Sequence, residues 1–185
     1  MALTQIDAVA ALVVIDMQKG IVALPLAHPA AEVAARVARL ARGFREKKLP
    51  VVLVNVAGAA PGRTDVKRNF SPPPDWAELI PELDRQVSDY TVTKMQVGAF
   101  YGTALEMILR RRAVTQVFMC GISTSVGVES TARNAYDHGY NVVFAADAMT
   151  DMSAENHRHS VEKVFPRFGE MAGTDEILAE LVKRS

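Results

Sequence analysis

The chain alternates between short, continuous hydrophobic runs and longer stretches in which hydrophobic residues recur every three or four positions. The runs lie at 10–16, 50–57, 89–94, 115–122 and 140–147, and most are rich in β-branched or aliphatic side chains. Hydrophobicity that is continuous rather than alternating is typical of strands covered by helices on both faces. These runs therefore predict the strands of a parallel sheet.

Three segments between the runs carry the period of an amphipathic helix, and they are 29–48, 102–112 and 127–139. The predicted buried faces are Val33, Val37, Leu40 and Phe44 in the first segment, Leu105, Ile108 and Leu109 in the second, and Val128, Thr131, Ala132, Ala135 and Tyr136 in the third. Because strand and helix patterns alternate, we expect a three-layer α/β/α sandwich of the Rossmann-like kind.

Length and composition narrow the class of protein. A chain of 185 residues can bury one sizeable core, so we expect a single domain over 1–185. The formal net charge of zero favours neither nucleic acid nor an anionic membrane as a partner. No apolar run has the length of a membrane span, and the N-terminus lacks the layout of a signal peptide. We therefore expect a cytoplasmic protein.

Polar side chains follow several of the predicted strands at the point where each strand ends. Asp16 ends the first strand, Asn55 lies near the end of the second, and Lys94 ends the third. Ligands of open parallel sheets bind beyond the carboxyl ends of the strands. A buried carboxylate needs a partner, and Lys94 is the candidate. The turn 121–127 follows the fourth strand, and a helix beginning near Ser125 would present free backbone N–H groups to an anion.

At these residues the sequence resembles the isochorismatase-like hydrolases, also called the cysteine hydrolase superfamily. The resemblance covers nearly the whole chain, through "ALVVIDMQKG", "TKMQVGAFYGTALEMIL", "GISTSVGVESTARNAYDHGYNVVFAADAMTD" and "EMAGTDEIL". It implies a six-stranded parallel sheet, an Asp, a Lys and a Cys as catalytic triad, and a homo-oligomer, a dimer or a tetramer. The residues that match the first two positions of the triad are Asp16 and Lys94.

The third position of the triad departs from the family pattern. The pattern Gly-x-x-Thr-x-x-Cys-Val-x-x-Thr-Ala aligns with Gly121, Thr124, Gly127, Val128, Thr131 and Ala132. Glycine at 127 supplies no thiolate, so amidase chemistry through an acyl-enzyme is not expected. True isochorismatases also carry glycine here, and the resemblance implies their reaction: Asp16 acts as general acid on a vinyl ether. Their flanking residues differ from Thr124, Ser125 and Val128, which leaves the substrate open.

The resemblance implies further site features. A cis peptide bond is expected between Ile122 and Ser123, with the N–H groups of Ser123 and Gly127 facing the ligand, a small carboxylate-bearing metabolite. The candidate substrate-binding residues are Gln18, Asn55, Phe100, Ser123, Thr124 and Ser125. The irregular loop 58–76 is a candidate lid, through Arg63, Lys67, Arg68 and Trp76. No metal or cofactor is expected, and His157 and His159 are predicted to lie on a solvated helix face.

Three alternatives stay open. Cys120, the chain's single cysteine, lies seven residues before the nucleophile position, where a buried apolar role is favoured over a nucleophilic one. Ser125, Asp147 and His157 follow the chain order of an α/β-hydrolase triad, although the nucleophile elbow lacks its first glycine. The third alternative is a relative that binds a ligand without turning it over.

Overall fold

The computed structural model of the chain describes residues 3–65 and 72–184. Six parallel strands form one sheet in the order β3-β2-β1-β4-β5-β6. The strands are β1 (Ala10–Ile15), β2 (Val51–Val56), β3 (Tyr90–Lys94), β4 (Gln116–Ile122), β5 (Asn141–Thr150) and β6 (Glu170–Ala172). The hydrophobic runs predicted the first five. The sixth, only three residues long, was implied by the family resemblance, and the predicted α/β fold is confirmed.

Helices connect the strands. They are α1 (Lys19–Val22), α2 (Ala30–Glu46), α3 (Leu105–Arg111), α4 (Glu129–Asp137), α5 (Ala154–His159) and α6 (Thr174–Lys183). The buried face predicted for α2 is confirmed, whereas Tyr136 on α4 is half exposed, against expectation. Its ring packs edge-on against Phe168. Within 3–65 and 72–184 no helix is long and apolar enough to cross a membrane.

Each face of the sheet has its own hydrophobic core. On β1, Leu12 and Val14 join the cluster beneath α2 and α6, while Val13 and Ile15 join the cluster beneath α3 and α4. This division follows from the two-residue period of a strand, which sends successive side chains to opposite faces. Because both faces are covered, every residue of β1 is fully buried.

A glycine allows the two central strands to meet tightly at the carboxyl end of the sheet. Gly121 has φ of +113°, and a Cβ there would lie 2.0 Å from the carbonyl oxygen of Ile15. Both the left-handed backbone and the close approach require glycine. Consequently the turn that follows β4 begins directly beside the residue that follows β1, which is Asp16.

Candidate active site at the carboxyl edge of the sheet

A buried ion pair lies at the carboxyl edge of the sheet. The Nζ of Lys94 lies 2.8 Å from Oδ2 of Asp16, and their side chains are only 2% and 7% exposed. Lys94 is the last residue of β3 and reaches across the end of β2 to a residue that follows β1. The predicted pairing is therefore confirmed, and Lys94 is not an ordinary exposed lysine. Asp16 has φ of +50°, a left-handed conformation that is uncommon outside glycine and is found at functional sites.

The second oxygen of the Asp16 carboxyl group is buried and makes no hydrogen bond within the described ranges. Burial raises the pKa of Asp16 to about 6, even though the positive charge and hydrogen bond of Lys94 act in the opposite direction. The dry environment thus outweighs the ammonium group. One carboxyl oxygen of Asp16, Oδ2, accepts a hydrogen bond from the ammonium group of Lys94. The other, Oδ1, can carry a proton.

Gly127 faces the same carboxyl group. A Cβ built on Gly127 would lie 3.2 Å from Oδ2 of Asp16 and 3.0 Å from Cγ2 of Ile15. A side chain at this position would therefore press against the carboxylate, and glycine avoids that contact. The structure brings Asp16, Lys94 and Gly127 together, as the sequence predicted.

The turn after β4 is a helical turn over Thr124–Val128 with five-residue hydrogen-bond spacing, and it continues directly into α4. The peptide bond between Ile122 and Ser123 is cis, as the resemblance implied. The half-buried Ser123 begins this turn, and its carbonyl oxygen accepts hydrogen bonds from the N–H groups of Val126 and Val128. These contacts fix the main chain on either side of Gly127.

The first turn of this helix does not present a free amide at Ser125, which corrects the prediction from sequence. The N–H and the hydroxyl of Ser125 both donate to Oδ2 of Asp151, each at 2.8 Å. Burial alone would raise the pKa of Asp151, but the hydrogen bonds from Ser125 outweigh it and hold the pKa below its usual value. A carboxylate of the protein already occupies the position in which an anionic ligand was expected.

Thr124 and His157 form a second link between the turn and the β5–α5 segment. Oγ1 of Thr124 lies 2.8 Å from Nδ1 of His157, and Thr124 has no exposed surface. The prediction that His157 lies on a solvated helix face is therefore wrong, although His159 on the same helix is exposed. Helical periodicity alone could not show that α5 turns His157 towards β4.

Two predicted substrate-binding residues, Gln18 and Asn55, use their amide groups to join chain segments. Gln18 accepts from the N–H of Val56 at 2.8 Å and donates to the carbonyl oxygens of Val56 and Trp76 at 3.0 and 3.1 Å. Asn55 donates to the carbonyl oxygen of Ala77 at 2.8 Å. These bonds hold the end of the loop 58–76 beside the strand ends. The role of that loop as a lid stays a prediction, and Lys67 and Arg68 lie outside the described residues.

Phe100 is buried and contacts the segment that follows α4. Its ring stacks on His138 with 5.1 Å between ring centroids, and His138 follows the C-terminal end of α4. The site turn leads into the other end of that helix. The role of Phe100 in substrate binding stays a prediction.

The alternative nucleophiles are not assembled for catalysis. Cys120 is fully buried in the core beneath α2 and α6, and burial raises the pKa of its thiol. Asp147 accepts from the N–H and hydroxyl of Thr174, at 2.8 and 2.9 Å, so it does not complete a triad with Ser125. The hydroxyl of Ser125 pairs with a carboxylate and the imidazole of His157 with a threonine.

Sequence reasoning missed Asp151 as a member of this region. It follows β5 in the same way that Asp16 follows β1, so the rule that found Asp16 could also have found it. Among the residues that the structure describes, no three His, Cys, Asp or Glu side chains converge in a way that could hold a metal ion.

The fold and the position of the site define the class: a three-layer α/β protein whose buried carboxylate and ammonium groups lie beyond the strand ends of a parallel sheet. A model of the isochorismatase domain matches residues 10–176. The chain belongs to the isochorismatase family.

Similar proteins span the full length of the chain. The uncharacterized isochorismatase family protein YecD of Escherichia coli O157:H7 is 44% identical over 182 residues, which cover 92% of this chain and 95% of YecD. An isochorismatase family protein from Burkholderia thailandensis has a solved structure that superposes with a TM-score of 0.91 at 41% identity, over 97% and 98% of the two chains. N-carbamoylsarcosine amidase from Thermoplasma acidophilum superposes with a TM-score of 0.73 at 27% identity, over 90% and 97%. The family thus includes hydrolases.

Proposed function

We propose that this protein is a hydrolase that cleaves a vinyl ether in a small, carboxylate-bearing metabolite, with Asp16 as general acid and without a covalent intermediate. Membership of the isochorismatase family supports the reaction class. The observation that carries the proposal is the buried, unpaired Oδ1 of Asp16 on a carboxyl group whose pKa is raised to about 6. A carboxyl group with these properties can hold a proton near neutral pH and deliver it in a water-poor site.

The reaction would proceed in two stages. Protonated Asp16 transfers its proton to the terminal carbon of the enol ether, and the ether carbon becomes an oxocarbenium ion. Water then adds to that carbon and gives up a proton, and the resulting hemiketal collapses to a carbonyl compound and an alcohol. The proton released by water restores the acid form of Asp16, so the enzyme is unchanged after one turnover.

Lys94 has a supporting role in this mechanism. Its ammonium group donates to Oδ2 of Asp16 at 2.8 Å and therefore stabilises the carboxylate that remains after the proton has left. It also donates to the carbonyl oxygen of Gln96 at 3.3 Å, which holds the amine in place. In the proposal the N–H groups of Ser123 and Gly127 bind the carboxylate of the substrate.

Glycine at position 127 supports a reaction without a thiol. Residue 127 has no side chain that could contact Oδ2 of Asp16. The chain's single cysteine is buried in the core beneath α2 and α6. Acyl transfer through a cysteine would need a thiolate at the site, whereas acid catalysis needs room for the enol ether.

The proposal is tested by screening the purified protein against carboxylate-bearing enol ethers, amides and esters. We expect hydrolysis of enol ethers alone, and we expect Asp16→Asn to lower kcat/KM by roughly 10²–10⁴-fold, the usual contribution of a general acid. Asp137→Asn is the matched control, because Asp137 is exposed at the end of α4 and should not affect activity.

Other outcomes point to other functions. Hydrolysis of esters or amides that is abolished by Ser125→Ala but not by Asp16→Asn would replace the acid mechanism with a serine route. Binding of a substrate analogue without turnover of any of the three classes would show a ligand-binding relative, and the proposal would be withdrawn.

A further inference from the structure

Two histidines contact each other beside the site turn. The imidazole rings of His28 and His157 meet edge to face, with 4.7 Å between ring centroids. His28 lies in the loop before α2 and His157 lies on α5, so the contact joins two segments that are far apart in the chain. His157 is half-buried beneath the more exposed His28.

Each imidazole also contacts a buried threonine hydroxyl at the carboxyl edge of the sheet. Nδ1 of His28 lies 2.9 Å from Oγ1 of Thr150, the last residue of β5, and Nδ1 of His157 lies 2.8 Å from Oγ1 of Thr124. We call the four side chains His28, Thr150, His157 and Thr124 the histidine clasp. It links the loop before α2, the end of β5 and α5 to the turn that carries Gly127.

The hydrogen-bond arrangement suits a neutral His157. Within the described ranges Oγ1 of Thr124 contacts only Nδ1 of His157, and a neutral imidazole can either accept the hydroxyl proton or donate an N–H there, depending on its tautomer. Protonation fixes an N–H on this nitrogen and leaves the buried hydroxyl proton without that acceptor.

Thr150 is joined to His28 by a second contact. Oγ1 of Thr150 accepts from the backbone N–H of His28 at 3.1 Å, in addition to its contact with Nδ1 of the ring at 2.9 Å.

The surroundings of His157 disfavour its protonated form. Burial and the neighbouring His28 lower the pKa of His157, while Asp151 at the end of β5 acts in the opposite direction. The turn Thr124–Val128, which packs against α5, carries no titratable side chain. Two adjacent imidazoles cannot both gain a proton without repulsion.

We propose that the histidine clasp is a proton-sensitive contact that holds the turn 123–128 in its site geometry while His157 is neutral and releases it when His157 is protonated. The clasp goes beyond the proposed hydrolysis, since it acts on the shape of the site whatever ligand enters it. Acidification would then loosen the main chain around Ser123 and Gly127 through protonation of His157.

The direction of the effect follows from linkage. The pKa of His157 is lower in the folded protein than in the unfolded chain, so the unfolded or released state binds the proton more readily. The stabilisation by the clasp is complete above the unfolded histidine pKa of about 6.5 and is lost as the pH falls below it.

The experiment combines two measurements on the full chain. NMR titration of the imidazoles reports the pKa and tautomer of each histidine, and amide hydrogen exchange reports the protection of residues 123–128. We expect His157 to titrate below about 6.5, the pKa of an unperturbed histidine. We expect the protection of the turn, corrected for intrinsic exchange, to fall about tenfold for each pH unit below the unfolded histidine pKa.

Two variants on the same helix distinguish release of the clasp from a loosening of the whole protein at low pH. His157→Gln keeps a polar partner for Thr124 but cannot titrate, so the protection of the turn should lose its pH dependence. His159→Gln is the matched control and should behave as the wild type.

The proposal is overturned if His157 titrates at or above about 6.5, or if the turn loosens with the same pH dependence in His157→Gln. Neither measurement uses a substrate. Failure of the clasp can therefore be distinguished from failure of the proposed hydrolysis.

Discussion

Asp16 and Asp151 show how environment gives one residue type two different properties. Both follow strands of the same sheet, and both are buried. Asp151 accepts hydrogen bonds from two groups of Ser125 and its pKa is lowered, whereas Asp16 has one unpaired oxygen and a raised pKa. Hydrogen bonds stabilise a carboxylate, and burial without them favours the acid. Only Asp16 is suited to donate a proton.

The first prediction concerns the pH dependence of turnover. Because the acid form of Asp16 is the active species in the proposed mechanism, kcat should fall above about pH 6, the value to which burial raises its pKa. The fall should approach tenfold for each pH unit. The measurement is kcat as a function of pH, from about 5 to about 9, on the enol ether found by screening.

Lys94→Met provides the control for that profile. Loss of the ammonium group removes the charge that holds the pKa of Asp16 down, so the descending limb should move to higher pH. A rate that stays constant through the alkaline range in the wild type would contradict a role for Asp16 as general acid.

The second prediction concerns the lack of a side chain at Gly127. In Gly127→Ala the added methyl group would lie 3.2 Å from Oδ2 of Asp16, closer than ordinary van der Waals contact. We expect kcat/KM to fall by roughly 10²-fold, since small displacements in a site have effects of that size. Stability should change little, because alanine is favoured over glycine in a helix by about 1 kcal/mol, which offsets the tight contact.

Gly173→Ala is the matched control for that variant. A Cβ at Gly173 would meet no atom within 4 Å, and this residue precedes α6, away from the site turn. Steady-state kinetics and urea unfolding of both variants provide the comparison. Equal activity of Gly127→Ala and the wild type would show that the space is not used by the substrate.

At the scale of elements, periodicity predicted the helices α2, α3 and α4 but not the ten-residue α6 (Thr174–Lys183). The predicted helix 29–48 is α2 (Ala30–Glu46), because its apolar stripe is long enough to define a face. The helical turn Thr124–Val128 and α5 are five and six residues long, so no periodic pattern could identify them. Their form depends on the contacts that Asp151 and His157 make with the turn.

The third prediction concerns the attachment of α2 to the start of β3. Arg45 donates to both carboxylate oxygens of Asp89, at 3.0 and 2.7 Å, and the two side chains are 14% and 1% exposed. Arg45→Ala would leave a buried carboxylate without its cation, and we expect the free energy of unfolding to fall by about 3–5 kcal/mol. Urea denaturation measures this change.

Arg42→Ala is the control on the same helix. Arg42 is exposed and makes no hydrogen bond or ion pair within the described ranges, so its replacement should change stability by less than about 0.5 kcal/mol. Similar unfolding midpoints for the two variants would show that the ion pair contributes nothing measurable.

At the scale of the whole molecule, the strand order decides which residues meet. β1 lies at the centre of the sheet, between β2 and β4, and β3 is two strands away. Lys94 therefore needs the full length of its side chain to reach Asp16, while Gly127 arrives from the neighbouring strand. Phe100 follows Lys94 closely in sequence, and its ring stacks on His138 after the C-terminal end of α4.

The family resemblance supplied Gly127 as the third residue of the site. The sequence by itself determined the α/β alternation, five of the six strands, the covered face of α2, and the positions of Asp16 and Lys94 at strand ends. It did so because hydrophobic period and strand-end polarity are local properties, and parallel strands place their carboxyl ends at one edge.

The tertiary structure decided what each polar group is paired with. Within the described ranges Oδ1 of Asp16 has no hydrogen-bond partner, the N–H of Ser125 donates to Asp151, and His157 contacts Thr124. The physical reason is that pairing and desolvation depend on distances between segments far apart in the chain, and a linear pattern contains no such distances.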